Sequence, residues 1–513
     1  MSRTVAAALL ALLAAAALAA AQPPNVVVFL TDDQGYGDLG VAGHPTIRTP
    51  NIDQLAREGT RFTQWLSANA VCSPSRTALL TGRLPVRTGM AGDFIQTLYS
   101  PAQPSGLDPA EFTLAELARE RGYATAAVGK WHLGINHRHN GDGYFLPRAH
   151  GFDRFYGMPL SNNPGCVWNG TDVADRLMCF LMRDNEVVEQ PALLDTLSDR
   201  LTAEAVGFVR EHAGRRPFLL YYAFVQPHTP LFAAARFRGL SARGPYGDAL
   251  LDVDDSVGQV MAALHETGVA NNTLVFFTSD NGAWLEEGLN GGSNGLLRGG
   301  KSQTWEGGIR VPGIVWGPGP ALGVRAGRVS EALVSTMDIF PTVADYLDFP
   351  VDTLERRIDG RSLRPILTGA ESDDVSANER VLFHYCGFVL HSMRLGRYKA
   401  YFHTPRYTDP VTGTCNHGPG EDIHVCGCIA GLTTEHWPPL IYDVARDPSE
   451  RHPLDPVTDP VYRDVLAEVL KERTLHERTL ETPRSQIATP EIPALQPCCN
   501  PPECRCTEPP RAS

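Results

Sequence analysis

The chain has 513 residues, 43% of them hydrophobic and 20% charged, with 45 Lys plus Arg against 58 Asp plus Glu and a formal net charge of −13. This is globular composition, which excludes an intrinsically disordered chain, and the length exceeds that of one typical compact domain. No basic field is available to hold nucleic-acid phosphates, although a local basic pocket for a small anion is still allowed.

Residues 1–21 read as a secretory signal. Arg3 supplies the positive start, Val5 to Ala20 is an unbroken run of Ala, Leu and Val, and Ala19-Ala20-Ala21 puts small residues before Gln22. The run is weakly hydrophobic and no stop-transfer pattern follows, so a cleaved signal is favoured over an anchor. No later stretch approaches the ~20 apolar residues that span a bilayer. The mature chain is therefore expected without a transmembrane span, in the secretory pathway, bound for a lysosome or the cell exterior. The sequons Asn169-Gly170-Thr171 and Asn271-Asn272-Thr273 fit that route as candidate N-glycan sites.

Short apolar runs at Asn25–Leu30, Ala124–Val128, Phe218–Val225 and Leu274–Thr278 have the length of strands buried on both faces. Helical patterns lie between them. One starts at Thr49-Pro50 with a cap and an early proline. A second starts at Thr113, with Glu116 at the capping-box position. A third, Asp252 to Thr267, lines Val253, Val257, Val260, Met261 and Leu264 along one stripe. This alternation predicts an α/β sandwich with a largely parallel sheet. Near residue 370 the texture changes. Strand candidates at Val381–Tyr385, Tyr398–His403 and Leu440–Tyr442, then a helix over Asp459–Leu480, predict a smaller α+β domain ending in a cysteine-rich tail.

There are 11 cysteines, an odd number. Cys498, Cys499, Cys504 and Cys506 crowd the tail, and Cys415, Cys426 and Cys428 form a second cluster. Their spacings are not those of a zinc finger, and secretion favours disulfides.

Each central strand runs into a polar cluster: Asp32-Asp33, then Lys130 and His132, then His228, then Asp280-Asn281. In open α/β sheets ligands bind beyond the carboxyl ends of the strands. Singly, such Asp and Asn residues read as caps or turn residues. Together they form a hard oxygen set suited to calcium or magnesium. Lys130, His132, His228 and Lys301 make a cationic set suited to a tetrahedral oxyanion ester.

The motif Cys72-Ser73-Pro74-Ser75-Arg76, continuing to Thr81-Gly82-Arg83, places a cysteine at the start of a helix. A positive helix end favours an anionic species there, and Arg76 lies one turn on. This Cys-x-Pro-x-Arg motif resembles the signature of the type I sulfatases. The resemblance extends over nearly the whole mature chain through Asp32-Asp33, Gly129-Lys130-Trp131-His132, His228-x-Pro230, Asp280-Asn281-Gly282 and Lys301 to Gly308. The pattern is similar to animal arylsulfatases, a group that includes arylsulfatase A and N-acetylgalactosamine-6-sulfatase. The tail looks most like steryl-sulfatase and its relatives, which carry a membrane hairpin. Here the corresponding stretch, about Cys166 to Leu201, is short and polar.

The resemblance implies an alkaline-phosphatase-like sandwich with a large mixed, mostly parallel sheet at 22–375, and a C-terminal α+β subdomain with an antiparallel sheet at 376–513. It implies that Cys72 is oxidised to Cα-formylglycine by a formylglycine-generating enzyme. Asp32, Asp33, Asp280, Asn281 and the modified Cys72 would hold one divalent cation, calcium in preference to magnesium. The hydrated aldehyde would attack sulfur in an ester of a sulfated small molecule, glycan or glycolipid. Arg76 and Lys130 would hold that hydrate, and Lys130, Ser161, His228 and Lys301 would contact the sulfate. His228, with Lys301, would protonate the leaving oxygen, and His132 would take the proton whose loss expels sulfate. Specificity would lie in loops such as Gly92–Gly106 and Asn136–Arg148. The odd cysteine is then Cys72, leaving ten for up to five bridges, with Cys166–Cys179 a local pair and the tail paired internally. Two alternatives stand beside the sulfatase. One is a phosphomonoesterase or phosphodiesterase of the wider superfamily. The other is a non-catalytic protein if Cys72 stays a thiol. A homo-oligomer is compatible with the sequence.

Overall fold

The computed structural model describes residues 23–92, 97–166, 177–375, 380–409, 411–414, 432–481 and 483–508. The expected signal, Asn169, Cys415, Cys426 and Cys428 lie outside the described residues. Ten strands form one sheet: β1 (Asn25–Thr31), β2 (Thr60–Leu66), β3 (Ala124–Gly129), β4 (Arg154–Gly157), β5 (Leu181–Arg183), β6 (Glu186–Glu189), β7 (Phe218–Ala223), β8 (Thr273–Ser279), β9 (Gly313–Trp316) and β10 (Arg328–Ser335). Their order is β10-β2-β9-β8-β1-β7-β3-β4-β5-β6. The run β8-β1-β7-β3-β4 is parallel throughout. Antiparallel β9 separates it from β2 and β10, and antiparallel β5 and β6 close the other edge.

The four apolar runs are β1, β3, β7 and β8, at the centre of this sheet. Successive side chains point to opposite faces. In β1, Val26, Val28 and Leu30 enter one core, and Val27 and Phe29 enter the other. The first core is closed by α2 (Cys72–Thr81) and α3 (Leu114–Glu120). The second is closed by α1 (Pro50–Glu58), α4 (Leu197–His212) and α5 (Pro245–Glu266). Helices on both faces leave no polar side for these strands, which is why their apolarity is continuous.

The capping box forms in both directions: Glu116 N donates to Thr113 Oγ1 (3.3 Å) and Thr113 N donates to Glu116 Oε2 (2.7 Å). At α1 the expected cap differs. Thr49 stands at the N-cap position, but its hydroxyl bonds Asp53 Oδ1 at 2.9 Å and makes no cap bond to the helix backbone. Helix α5 begins at Pro245, two turns before the expected Asp252. Gly244 (φ 76°) turns the chain there, and proline occupies the first helical position.

A second, antiparallel sheet has the order β11 (Val381–Cys386), β12 (Val389–Leu395), β13 (Tyr398–Pro405), β14 (Thr433–Asp443). Helix α6 (Tyr462–Glu477) packs Tyr462, Val465 and Val469 against it. Strand β12 escaped the sequence reading because it buries His391, Ser392 and Arg394, polar residues at inward positions. The tail then returns to the large sheet. Gln190 and Cys506 exchange two backbone hydrogen bonds of 3.0 Å, and Glu508 pairs with Arg183 and Arg200. Cys166–Cys179, Cys498–Cys504 and Cys499–Cys506 are disulfides, so Cys504 and Cys506 are half-cystines and not zinc ligands. Among the described residues no helix is long and apolar enough to cross a membrane.

Burial pushes the imidazoles of His384 and His391 down to about 3. His384 also faces Lys399 and Arg394, which oppose its charge more than Glu306 supports it. A depressed folded pKa contributes stability above the unfolded value of about 6.5, and that stability is lost as pH falls toward the folded value. The share of stability that these two rings contribute is therefore expected to be lost from pH 7 to pH 4.5, so the melting temperature of the parent should fall more over that range than that of His384→Gln. Equal pH slopes in the two melting series would contradict the neutral, buried state of the His384 ring.

Candidate active site

The parallel strands end on one side of the sheet, and their pairing continues past the strand ends. Asp32 N donates to Gln226 O (3.1 Å), Asp280 N to Thr31 O (3.1 Å) and Lys130 N to Ala223 O (2.8 Å). The polar residues are thus delivered in register. Gly129 has φ 97°, and a Cβ there would lie 1.8 Å from Ala223 O, so only glycine turns the chain into Lys130. A Cβ at Gly282 would lie 1.8 Å from Gly307 O, which is how the Asp280-Asn281 turn lies against the segment following Lys301.

Helix α2 is buried along its whole length and begins at Cys72. Ligand atoms of Asp32, Asp33, Cys72 and Asp280 all lie within 4.8 Å of one another. Cys72 Sγ is 3.4 Å from Asp32 Oδ1. Burial pushes the thiol pKa well up, with Asp280 and Asp32 adding to the effect against Lys130. Desolvation and the neighbouring carboxylates thus oppose the anionic sulfur that the helix end and Lys130 favour.

Arg76 faces the same site from one turn on. Its Nη2 lies 2.8 Å from Asp280 Oδ2 and 3.6 Å from Asp32 Oδ1, and Nη1 donates to Lys130 O (3.0 Å). Lys130 Nζ pairs with Asp32 Oδ2 and Lys301 Nζ with Asp33 Oδ2, each at 2.6 Å. Burial would raise the pKa of Asp32, but Lys130, His228, Arg76 and Lys301 hold it well below the carboxylate range. Asp280 is pushed up to about 6 by burial and by Asp32. Crowded carboxylates of this kind are relieved by a cation. Asn281 adds an amide whose Oδ1 is buried without a partner while its Nδ2 donates to Asp33 Oδ1 (2.7 Å). Three carboxylates and an orphaned amide oxygen fit a hard divalent cation.

A cavity of about 230 Å³ opens over Cys72 and is lined also by His132, Ser161, His228 and Lys301. Lys130 and Arg76 are not in its wall; both are buried behind it. His132 Nε2 donates to Leu98 O (2.7 Å), leaving Nδ1 buried without a partner. Burial and Lys130 keep that imidazole neutral. His228 donates Nδ1–H to the Thr229 carbonyl, and its Nε2 lies 3.7 Å from Asp33 Oδ2. Burial and Lys301 push its pKa down to about 4. Asp33, His132 and Ser302 all have φ between 61° and 69°, strained values for non-glycine residues that the packing here imposes.

A family model described as sulfatase matches residues 24–349, and one described as the C-terminal region of aryl-sulfatase matches residues 377–506. The chain is a type I sulfatase. Steryl-sulfatase of Rattus norvegicus is 39% identical over 559 aligned positions, covering 94% of both chains. N-acetylgalactosamine-6-sulfatase of Canis lupus familiaris is 40% identical, covering 93% of this chain and 92% of that one. The crystal structure of PsFucS1 sulfatase from Pseudoalteromonas sp. superposes with a TM-score of 0.73 at 28% identity, covering 93% of each chain. The sulfatase is therefore a sulfuric ester hydrolase with the alkaline-phosphatase-like fold.

The sulfatase site brings together Asp32, Asp33, Cys72, Arg76, Lys130, His132, His228, Asp280, Asn281 and Lys301, whereas Arg83 at the end of the cysteine motif lies elsewhere and pairs with Glu111. Others were not marked. Trp284 packs at a tilt against His228, with ring centroids 5.7 Å apart, and lies under Lys301, whose Nζ is 4.2 Å from the ring centroid. Its place three residues after Asn281 was the available signal. Val71, Leu98, Tyr99, Leu160 and Met178 complete an apolar wall. Of the two expected specificity loops, Thr97–Tyr99 from the first line the described cavity. The second does not. Its Asn136 and Asn140 donate to the tail at Leu495 O and Gln496 O instead.

Proposed function

We propose that this sulfatase acts through a formylglycine made from Cys72 and one divalent cation held by Asp32, Asp33, Asp280 and Asn281. The observation that carries this reading is the buried cluster of Asp32, Asp33, Cys72 and Asp280, of which Cys72 alone lines a cavity with a cationic side. Formylglycine and cation would supply an activated oxygen nucleophile and Lewis acidity toward the sulfuryl group. Arg76 and Lys130 orient residue 72. Lys301 and the Ser161 hydroxyl bind sulfuryl oxygens from the cavity wall, and Lys130 adds positive charge from behind. His228, its ring fixed through Thr229, protonates the leaving oxygen. An anionic ester between His228 and Lys301 favours the imidazolium, opposing the depression caused by burial. His132 is poised as a base, because the hydrogen bond to Leu98 leaves Nδ1 as the acceptor.

The apolar wall favours an ester of an aromatic or other apolar alcohol over a sulfated glycan. Asn271 is exposed and free to carry a glycan. We take 22–375 as the catalytic domain and 376–513 as its C-terminal partner, in a protein of the secretory pathway, lysosomal or extracellular.

The mass of the tryptic peptide spanning 62–76, measured beside hydrolysis of 4-nitrocatechol sulfate, an aryl phosphate and N-acetylgalactosamine 6-sulfate, tests the reading. An unmodified thiol in active protein would overturn it. Faster phosphate than sulfate release would favour the phosphoesterase. The cation has its own test. Calcium added to chelator-treated protein is expected to stabilise it by about 2.7 kcal/mol at a hundredfold excess over Kd, with magnesium weaker. Asp33→Asn should remove that shift, and an unchanged melting temperature with calcium would refute the site.

A further inference from the structure

Lys301 sits on a loop that the large sheet holds from one side only. Lys301 N donates to Ala283 O (2.9 Å) and Ser302 N to Ala70 O (2.8 Å), with Ser302 strained at φ 69°. The rest of the loop is gripped by residues from beyond the large sheet. Lys399 Nζ of β13 donates to Thr304 O (2.7 Å), and the Tyr401 hydroxyl oxygen of the same strand lies 3.2 Å from that carbonyl. Glu306 N donates to Glu450 Oε2 (2.8 Å), and Tyr401 donates its hydroxyl to Glu450 Oε1. Arg298, at the loop's start, donates Nη1 to Glu450 O (3.1 Å) and lays its guanidinium over Trp305.

The grip is ionic and fully buried. Lys399, Glu450 and Arg394 have no exposed side-chain surface, and Glu306 pairs with Arg310, Arg394 and Lys399. Apolar packing joins elements of a fold at no desolvation penalty, whereas buried ion pairs often add no net stability. What they do add is directional fixing of a backbone. Glu450 itself is held at φ 52°.

We propose that Glu450, Lys399 and Tyr401 are positioning residues that fix the 298–306 backbone so that Lys301 Nζ presents to the sulfuryl group. This rests on the sulfuryl-binding role proposed above for Lys301. Contact with the substrate comes from Lys301; the three residues act through it.

A double-mutant cycle tests this. Glu450→Gln and Tyr401→Phe, the latter removing only a hydroxyl, are made alone and with Lys301→Met in the formylglycine-bearing enzyme. Steady-state kinetics with 4-nitrocatechol sulfate and calorimetric binding of inorganic sulfate are read, with melting temperature alongside. Each single variant is expected to lower kcat by about 3- to 30-fold and to weaken sulfate binding. Neither should change either quantity further once Lys301 is methionine. The same loss in both backgrounds, or wild-type kcat and sulfate affinity in both single variants, would overturn the positioning role alone. Wild-type behaviour of Lys301→Met would overturn it together with the sulfuryl-binding role of Lys301.

Discussion

Cys72→Ser is expected to cut sulfate release by about 10⁴-fold or more, the scale of losing a nucleophile while the rest of a site stays intact. Cys72 is only 2% exposed and its Sγ bonds Asp32 Oδ1 at 3.4 Å, a contact that an isosteric hydroxyl can also make, so the fold should stay undisturbed. A serine can attack sulfur once. It carries a single oxygen and cannot expel sulfate by collapsing to an aldehyde, so turnover stops even where attack proceeds. Burst kinetics with 4-nitrocatechol sulfate, together with a melting curve, check this. Turnover within tenfold of the parent would show that residue 72 is not the nucleophile's source.

Arg76→Met should have the largest effect on stability. The guanidinium is completely buried between Asp280 and Asp32. Burial opposes its charge, but the two carboxylates hold its pKa above the ordinary arginine value. Removing one partner of a buried ion pair leaves charge uncompensated, at about 3–5 kcal/mol. The denaturation midpoint should fall accordingly, and Asp280→Asn in the same chain should recover part of the loss. Calcium should also recover part of it, since a divalent cation replaces the missing charge. A midpoint matching the parent would mean that the carboxylates are neutralised some other way.

The central strands were legible because their two covered faces leave no polar positions, so β1, β3, β7 and β8 stand out as apolar runs. Strand β5 and the edge strand β6 are three and four residues long, too short for any period to register. Strand β12 was hidden by Arg394 and His391, which are polar yet buried: Arg394 meets Glu306, 88 residues away, and His391 stacks on His403 of the neighbouring strand.

The same division runs through the site. Its chemistry was written locally: carboxylates after β1 and β8, Lys130 and His132 after β3, His228 after β7, and the cysteine motif that opens α2. Chain order alone tells which strand end carries which group. The pairings are another matter. Asp33 meets Lys301 across 268 residues, and Asn281 meets Asp33 across 248. No periodicity reports such contacts. Whether Cys72 would be a thiolate was likewise undecidable from a helix terminus, because burial, Lys130 and two carboxylates brought in from distant strands all act on its pKa. The sequence by itself determined the inventory of reactive groups and the sheet that would present them, since both depend on short-range pattern. Only the tertiary structure decided which charges are buried together, which atoms are left without partners and which walls are apolar, because burial and pairing are properties of residues brought together from distant parts of the chain.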